Sequence, residues 1–480
     1  MPFAERREVT MKKSLFAFLS LTLGLSCLGA GSPKTMLTVY NNDLALVRQA
    51  RTIPVEKGVF KYLFQDVTTK IDPTSVALET LSGPPISILE QNYAYDLVSD
   101  QKVLEKSLGQ KITVFQTVGN TEKAYTGTLL SVSGGRPVIR TDEGIFIGHP
   151  SRYMLAKMPP GLIVKPTLVW LLKGQRAQNQ EVALSYLTGG LSWNANYVLL
   201  LAPDEKKVGF TGWVTIDNKS GIGFENATLK LLAGDVHRVE PTRRTKGVYL
   251  MKAEAAAPQF QEKALFEYHL YTLQRPATVA DNETKQIELI SAPDVPVTKS
   301  YVYDGANIHG YGGYYYGRRE SRDLGVPSNT KVSVYLGFDN KKASGLGIPL
   351  PKGTVRVFKK DTDGSAQFIG EDAIDHTPRD EHVRIKLGEA FDIVGERKQT
   401  AFRAVVPGHV YDESFKITLR NHKSEPVTVR VVEVMYRWSD WEILDESEKH
   451  EKIDSQTVVF PTTIPASGEK TVTYTVRYTW

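Results

Sequence analysis

The sequence predicts a mostly β, multidomain protein, made of antiparallel β-sandwiches with a small SH3/Sm-like barrel insert and a C-terminal immunoglobulin-like sandwich. Three observations predict it. Apolar residues recur at every second position through nearly every ordered-looking segment, the period of a half-buried strand. Short clusters of Gly, Pro, Asn and Asp punctuate these segments at close spacing. Beyond residue 31 the best helical pattern is one short stretch, 99–109.

Residues 1–31 read as a signal peptide. Lys12 and Lys13 precede "SLFAFLSLTLGLSCLGA", a basic start, an apolar run and a small-residue cleavage zone. The ten residues before Met11 fit no part of that design, so Met11 is the expected initiator. Cys27, the single cysteine, follows Ser26, where a lipid-anchored protein carries its modified cysteine. Gly24 stands where a larger aliphatic residue is usual, which favours ordinary cleavage between Cys27 and Ser32 over a lipid anchor. The mature chain then has no disulfide, thiolate ligand or cysteine nucleophile. The expected location is secreted or periplasmic, in the cell envelope.

Residues 32–97 hold "TMLTVYNN", "LALVRQARTI", "FKYLFQDV", "SVALETL" and "ISILEQNY", expected as an N-terminal β-domain turning at Asn41-Asn42-Asp43 and Gly83-Pro84-Pro85. In 98–160, "SDQKVLEKSLG" reads as a helix with Ser99 as N-cap and Gly109 as stop. The four or five short strands after it suggest the small barrel. Arg136 and Arg140 lie there without a dense basic, aromatic face, so a structural insert is expected. Residues 161–400 form the central antiparallel β-domain, interrupted by two excursions without alternation, 237–264 and 304–328, expected to be mobile. Residues 401–480 give about seven closely spaced strands, the immunoglobulin-like sandwich. "TVTYTVRYTW" at the end sets Val472, Tyr474, Val476, Tyr478 and Trp480 on one face.

The net charge of +5 is small for 480 residues and dispersed, which argues against nucleic acid as a partner. After residue 31 no apolar run approaches the ~20 residues of a transmembrane helix.

"YLTGGLSWNANYVLLL" (186–201) raises two enzymatic readings, and both fail on the helix they require. A phosphate-binding loop needs set glycines leading into a helix, and a nucleophile elbow needs G-x-S-x-G before one. A strand follows instead. The framework reading makes Gly189-Gly190 a turn with φ > 0 expected at Gly189, inserts Trp193 into a core, and leaves Ser192 without chemistry. "DTDGS" (361–365) resumes strand alternation at Gln367 and reads as a hairpin turn, not a calcium loop. "IDHTPRDEH" gathers Asp375, His376, Asp380, Glu381 and His382, but its spacing matches no helical zinc signature, so a polar loop is expected and no metal or cofactor. The segment 305–322, "GANIHGYGGYYYGRRESR", is the most interaction-prone one, a candidate binding element set against the plainer reading of a flexible, untied loop. Tyr311, Tyr314, Tyr315 and Tyr316 are amphipathic contact residues, with Arg318 and Arg319 adding charge. An envelope protein or glycan is the expected partner class.

Several strings resemble a known family: "LTVYNNDLALVRQARTI", "LSYLTGGLSWNANYVLLL", "GWVTIDNKSGIGFENATLKLLAGDV", "EYHLYTLQRPATVADNETKQIEL" and "GLGIPLPKGTVRVFKKDTDGSAQFIGEDAIDHTP". They look like an uncharacterised bacterial family of the domain-of-unknown-function type, distantly related to mucoidy inhibitor A proteins. The resemblance implies a secreted or envelope-associated, β-rich protein, and it carries over no catalytic residue, cofactor or substrate. The expected function is a non-enzymatic scaffold, adhesive or binding module. The alternative is a secreted hydrolase whose carboxylate or metal site is assembled from remote loops.

Overall fold

A computed structural model describes residues 35–94, 100–118, 121–133, 136–159, 165–234, 236, 259–306, 322 and 328–480. The chain is mostly β, with a single short α-helix among the described residues. In the largest N-terminal sheet, Thr35–Tyr40 pairs antiparallel with Ala45–Val55 and parallel with Phe224–Ala233, Met36 standing opposite Thr228. Gln178–Thr188 then pairs with Ala45–Val55 over its whole length. A three-stranded sheet places Gly58–Gln65 and Ser87–Ala94 on either side of Thr167–Gly174. Besides the pairing of Thr35–Tyr40 with Ala45–Val55, the strands of residues 35–94 thus find their sheet partners among residues 167–233.

A five-stranded sheet follows the order Glu283–Pro296, Lys207–Asn218, Leu191–Leu201, Gly353–Lys360, Ala366–Ile374. These three sheets, joined by Leu336, Phe338, Val383 and Ile385 from a fourth, feed one core that runs from Leu37 to Ile385, its bulk supplied by Trp170, Tyr186, Trp193, Tyr197 and Phe210.

The C-terminal sheet has nine strands and its own core. Residues 410–480 supply six of them, and Thr298–Tyr303, Lys331–Asp339 and His382–Val406 supply the other three. Alternation builds it: along Val410–Asn421, positions 411, 413, 415, 417, 419 and 421 are all buried. Val472, Tyr474, Val476 and Tyr478 are buried as well, and Trp480 stacks on Tyr411 at 5.0 Å.

Separate from both cores, helix Asp100–Lys106 packs Leu104 onto a five-stranded antiparallel sheet of Lys111–Val118, Thr121–Ser133, Arg136–Thr141, Gly144–Ile147 and Arg152–Leu155. Gly109 stops the helix region at φ +79°.

Three expectations need correction. The sheets are not purely antiparallel. Thr35–Tyr40 with Phe224–Ala233, Leu191–Leu201 with Gly353–Lys360, and Thr298–Tyr303 with Val427–Val434 are parallel pairs. Parallel partners need long crossovers and lie far apart in sequence, where local alternation carries no trace of them. The excursion at 237–264 ends early, since Phe260–Leu265 is a strand paired with Tyr268–Leu273, with Phe260 fully buried. Finally, the left-handed residue of the Gly-Gly turn is Gly190 (φ +82°), not Gly189. A Cβ on Gly190 would sit 2.6 Å from the Lys219 carbonyl oxygen, whereas one on Gly189 would make only ordinary contacts.

One joint recurs three times. Asn218, Asn340 and Asn421 stand at or just past the ends of strands and are almost wholly buried. Asn218 Nδ2 donates to the carbonyls of Ile222 and Ala280 at 2.9 Å, and its Oδ1 accepts from Ser220 N. Asn340 Nδ2 donates to the carbonyls of Ile348 and Pro378 at 2.8 Å, and its Oδ1 accepts from Gly347 N. Asn421 repeats the pattern with the carbonyls of Glu425 and Pro465 and with Lys423 N. At each corner an amide inside the turn satisfies backbone groups that the turn would otherwise strand.

Candidate functional site

Tyr311, Tyr314, Tyr315, Tyr316, Arg318 and Arg319 lie outside the described residues, as do Met11 and Cys27. The stem that carries the tyrosine-rich segment is described. Thr298–Tyr303 and Lys331–Asp339 pair antiparallel, Tyr303 opposite Val332, so the segment leaves at 304–306 and returns at 328–330. Asn329 ties the two sides together. Its backbone N–H donates to Gly305 O at 2.9 Å, its side-chain amide donates to Asp304 O, and its carbonyl accepts from the Tyr303 hydroxyl at 2.7 Å.

Below the stem the chain needs glycine. The Tyr303 ring lies directly on Gly395, where a Cβ would come within 2.2 Å of it, and a Cβ on Gly305 would meet Arg397 at 2.7 Å. Arg397 is the keystone of this floor. Its backbone N–H donates to Ser328 Oγ at 3.1 Å, and its guanidinium turns inward under the stem.

Arg397 Nε and Nη2 reach Glu433 at 2.9–3.0 Å, with both side chains at or below 1% exposure. The Tyr474 hydroxyl donates to the same carboxylate at 2.5 Å, and the guanidinium lies 4.0 Å over the Phe415 ring. Burial alone would lower the Arg397 pKa, but the Glu433 carboxylate outweighs it and holds the group well above its ordinary value. The Tyr474 hydroxyl is pushed well up, first by burial and then by the negative charge of Glu433. Tyr303 is raised to about 12, again chiefly by burial.

A second cluster lies along the same strands. Glu413 accepts from Arg437 Nη2 at 2.6 Å, from the Tyr436 hydroxyl at 2.8 Å and from Gln399 Nε2 at 2.6 Å. The Arg437 and Glu413 side chains are fully buried, and Arg437 lies 5.0 Å from the Phe402 ring. Carboxylates enclosed in this way are acceptors already saturated by internal donors. They cannot reach a substrate in solvent, and what they can do is fix the strands around them.

The remaining sequence-selected residues fall elsewhere. Trp193 is 1% exposed and donates Nε1 to Leu232 O at 3.1 Å, while Ser192 is half-buried beside it on the Leu191–Leu201 strand. Asp363-Gly364 turns the hairpin between Gly353–Lys360 and Ala366–Ile374, with Gly364 at φ +88°. His376 Nδ1 accepts from Lys352 N at 3.2 Å, Asp375 caps His376 N at 2.8 Å, and His382 pairs instead with Asp339 at 2.8 Å. Among the described residues no group of three or more His, Cys, Asp or Glu side chains is placed to hold a metal ion. Arg136 contacts His149 at 2.8 Å.

Sequence reasoning did not select Arg397, Glu413, Glu433, Tyr436 or Arg437. A signal was there. Glu433 continues the buried phase of Val427, Val429 and Val431, and Glu413 sits between Tyr411 and Phe415 in the same phase. A charge in the apolar phase of a strand calls for a partner of opposite sign.

Compared with known protein families, residues 182–480 match the family described as Domain of unknown function (DUF4139). Among curated proteins, none matches the sequence. No helix among the described residues is long and apolar enough to cross a membrane.

Proposed function

The chain belongs to the DUF4139 family, and from that premise we propose that it is a non-enzymatic binding module of the bacterial cell envelope. In this reading the tyrosine-rich segment is held on a braced stem and engages an envelope glycan. The observation that carries the proposal is the use of buried charge. Arg397–Glu433 and Arg437–Glu413 are sealed inside the C-terminal sheet, and the first pair lies under the stem of that segment. Charge withdrawn from water in this way serves positioning, as a presented loop requires and as an exposed catalytic pair would not. The segment has one aliphatic side chain larger than Ala, Ile308, among its Gly, Tyr and Arg residues. Rings and hydroxyls with little aliphatic surface suit a polyhydroxylated polymer. Export through the N-terminal segment, an immunoglobulin-like C-terminal unit and distant kinship with mucoidy inhibitor A proteins complete the proposal.

Cosedimentation with purified insoluble peptidoglycan tests it. The full chain is expected in the pellet, and a variant with Tyr314, Tyr315 and Tyr316 changed to Ser and Arg318 and Arg319 changed to Gln in the supernatant. Equal partition of the two proteins would remove the binding role of the segment. Release of soluble fragments from the polymer would establish a hydrolase instead.

A further inference from the structure

The small five-stranded sheet has two faces. Ile112, Val114, Leu129 and Ile139 point to one of them, where Leu104 of the helix closes the small core. Alternation turns their neighbours to the other, where Ile145 (62%), Ile147 (68%) and Met154 (56%) stand exposed. Strand register sets cations among these aliphatic side chains. Lys111, Thr128, Arg140 and Ile145 form one row across four strands, Val138 pairs with Ile147 beside it, and Arg152 pairs with Phe115. Arg136, two residues from Val138, donates its Nε to His149 Nε2 at 2.8 Å.

Charge divides between the two faces. The outer one carries four cations, Lys111, Arg136, Arg140 and Arg152, against one carboxylate, Glu122, which Arg152 holds at 2.5 Å. Lys111 and Arg140 make no ion pair among the described residues. Asp142 and Lys157, of opposite sign, lie past the strand ends. On the helix side the charges balance, Asp100, Glu105 and Glu143 against Lys102, Lys106 and Lys123, with Lys102 paired to Glu105 and Lys123 to Glu143.

On the outer face aliphatic and cationic side chains are thus interleaved, Arg140 directly opposite Ile145. A protein partner is ordinarily met by an apolar centre with charge at its rim. A lipid headgroup layer is mixed laterally, phosphate beside acyl chain, and accepts both kinds of side chain from one surface. Long Arg and Lys stems lie along such a layer while their heads reach phosphate. We propose that this face rests on an anionic lipid surface, with Ile145, Ile147 and Met154 at the acyl boundary and Lys111, Arg136 and Arg140 on headgroup phosphates. The contact stands apart from the tyrosine-rich segment and does not depend on its glycan reading.

Flotation of the full chain with vesicles of phosphatidylcholine alone, or of phosphatidylcholine and phosphatidylglycerol in equal parts, tests this. More protein is expected on the anionic vesicles, with the difference falling as salt rises. Arg136→Gln and Arg140→Gln should each weaken that binding about fivefold. Ile145→Ser with Ile147→Ser should weaken it at every salt concentration. Lys102→Gln with Lys106→Gln removes as much charge from the helix side as the two arginine changes remove from the face, and should leave binding unchanged. None of the substituted side chains is buried, and circular dichroism checks that each variant is folded. An anionic preference that survives Arg136→Gln with Arg140→Gln would come from elsewhere in the chain, the basic N-terminal segment included, and would overturn the proposal. So would equal binding to both vesicles, or an equal loss in the helix-side variant. Binding to soluble polyglutamate that Ile145→Ser with Ile147→Ser leaves intact would mark an acidic polypeptide as the partner and overturn it as well.

Discussion

Glu433→Gln replaces the buried carboxylate by a neutral amide of the same shape and leaves the Arg397 guanidinium at 1% exposure without its counter-charge. At an effective dielectric near 20, opposite unit charges about 4 Å apart attract by roughly 4 kcal/mol. Breaking one side of a buried ion pair costs about 3–5 kcal/mol, because the surviving charge stays desolvated. The two figures agree, so Glu433→Gln is expected to destabilise the C-terminal sheet by about 3–5 kcal/mol. Arg397→Met with Glu433→Leu removes both charges and is expected to cost far less than the sum of the single changes. Urea titration read by hydrogen exchange in the Val410–Asn421 amides scores this sheet without requiring the whole chain to unfold in one step. A loss below about 1 kcal/mol for Glu433→Gln, or a double variant as damaged as the sum of its singles, would refute the account of the pair as a mutually dependent brace.

Trp193→Ala is expected to cost about 3–5 kcal/mol, while Ser192→Ala stays within about 0.5 kcal/mol, both read by chemical denaturation. Gly190→Ala should be severe and Gly189→Ala mild, since only the first has positive φ and a carbonyl oxygen in the way; thermal unfolding of the two variants separates them. Glu205 tests the acid side. Burial opposes its ionisation, but Lys299 and Lys359 outweigh it and hold its pKa below the ordinary carboxylate value. Its contribution is therefore present above the ordinary carboxylate range and is lost as pH falls through the depressed pKa, and Glu205→Gln should flatten the stability-against-pH curve there. Elemental analysis of the purified protein should show no stoichiometric zinc, because among the described residues His376 and His382 do not converge with a third His, Cys, Asp or Glu side chain.

Local pattern made much of the fold legible. The alternation of "TVTYTVRYTW" placed four of its five in-phase residues in a core, and Asp363-Gly364 specified its hairpin through a left-handed glycine. The partners of the strands were not legible. Thr35–Tyr40 reads the same whether its neighbour is the next strand or Phe224–Ala233, nearly 190 residues on. The Gly-Gly turn was found, but which glycine carries the positive φ depends on how close Lys219 comes from another turn. The chemistry of the tyrosine-rich segment was visible as composition. The brace beneath the stem was overlooked because Arg397, Glu413 and Glu433 look like ordinary solvated charges until strand phase turns them inward.

The three asparagine corners bear on how long the molecule keeps its shape. Hydrolysis of a side-chain amide to a carboxylate changes little in size, yet at these positions it would replace two N–H donors by an anion facing two carbonyl oxygens at 2.8–3.0 Å. Such an exchange turns a satisfied corner into a repulsive one within the same contour, and it leaves the exposed surface unaltered. Asn218, Asn340 and Asn421 are each followed by Lys or His, not by the glycine that speeds this reaction, and all three side chains are closed to water. A protein whose corners are set by amides thus carries its chemical ageing inside, at three points where a one-atom change would open a turn.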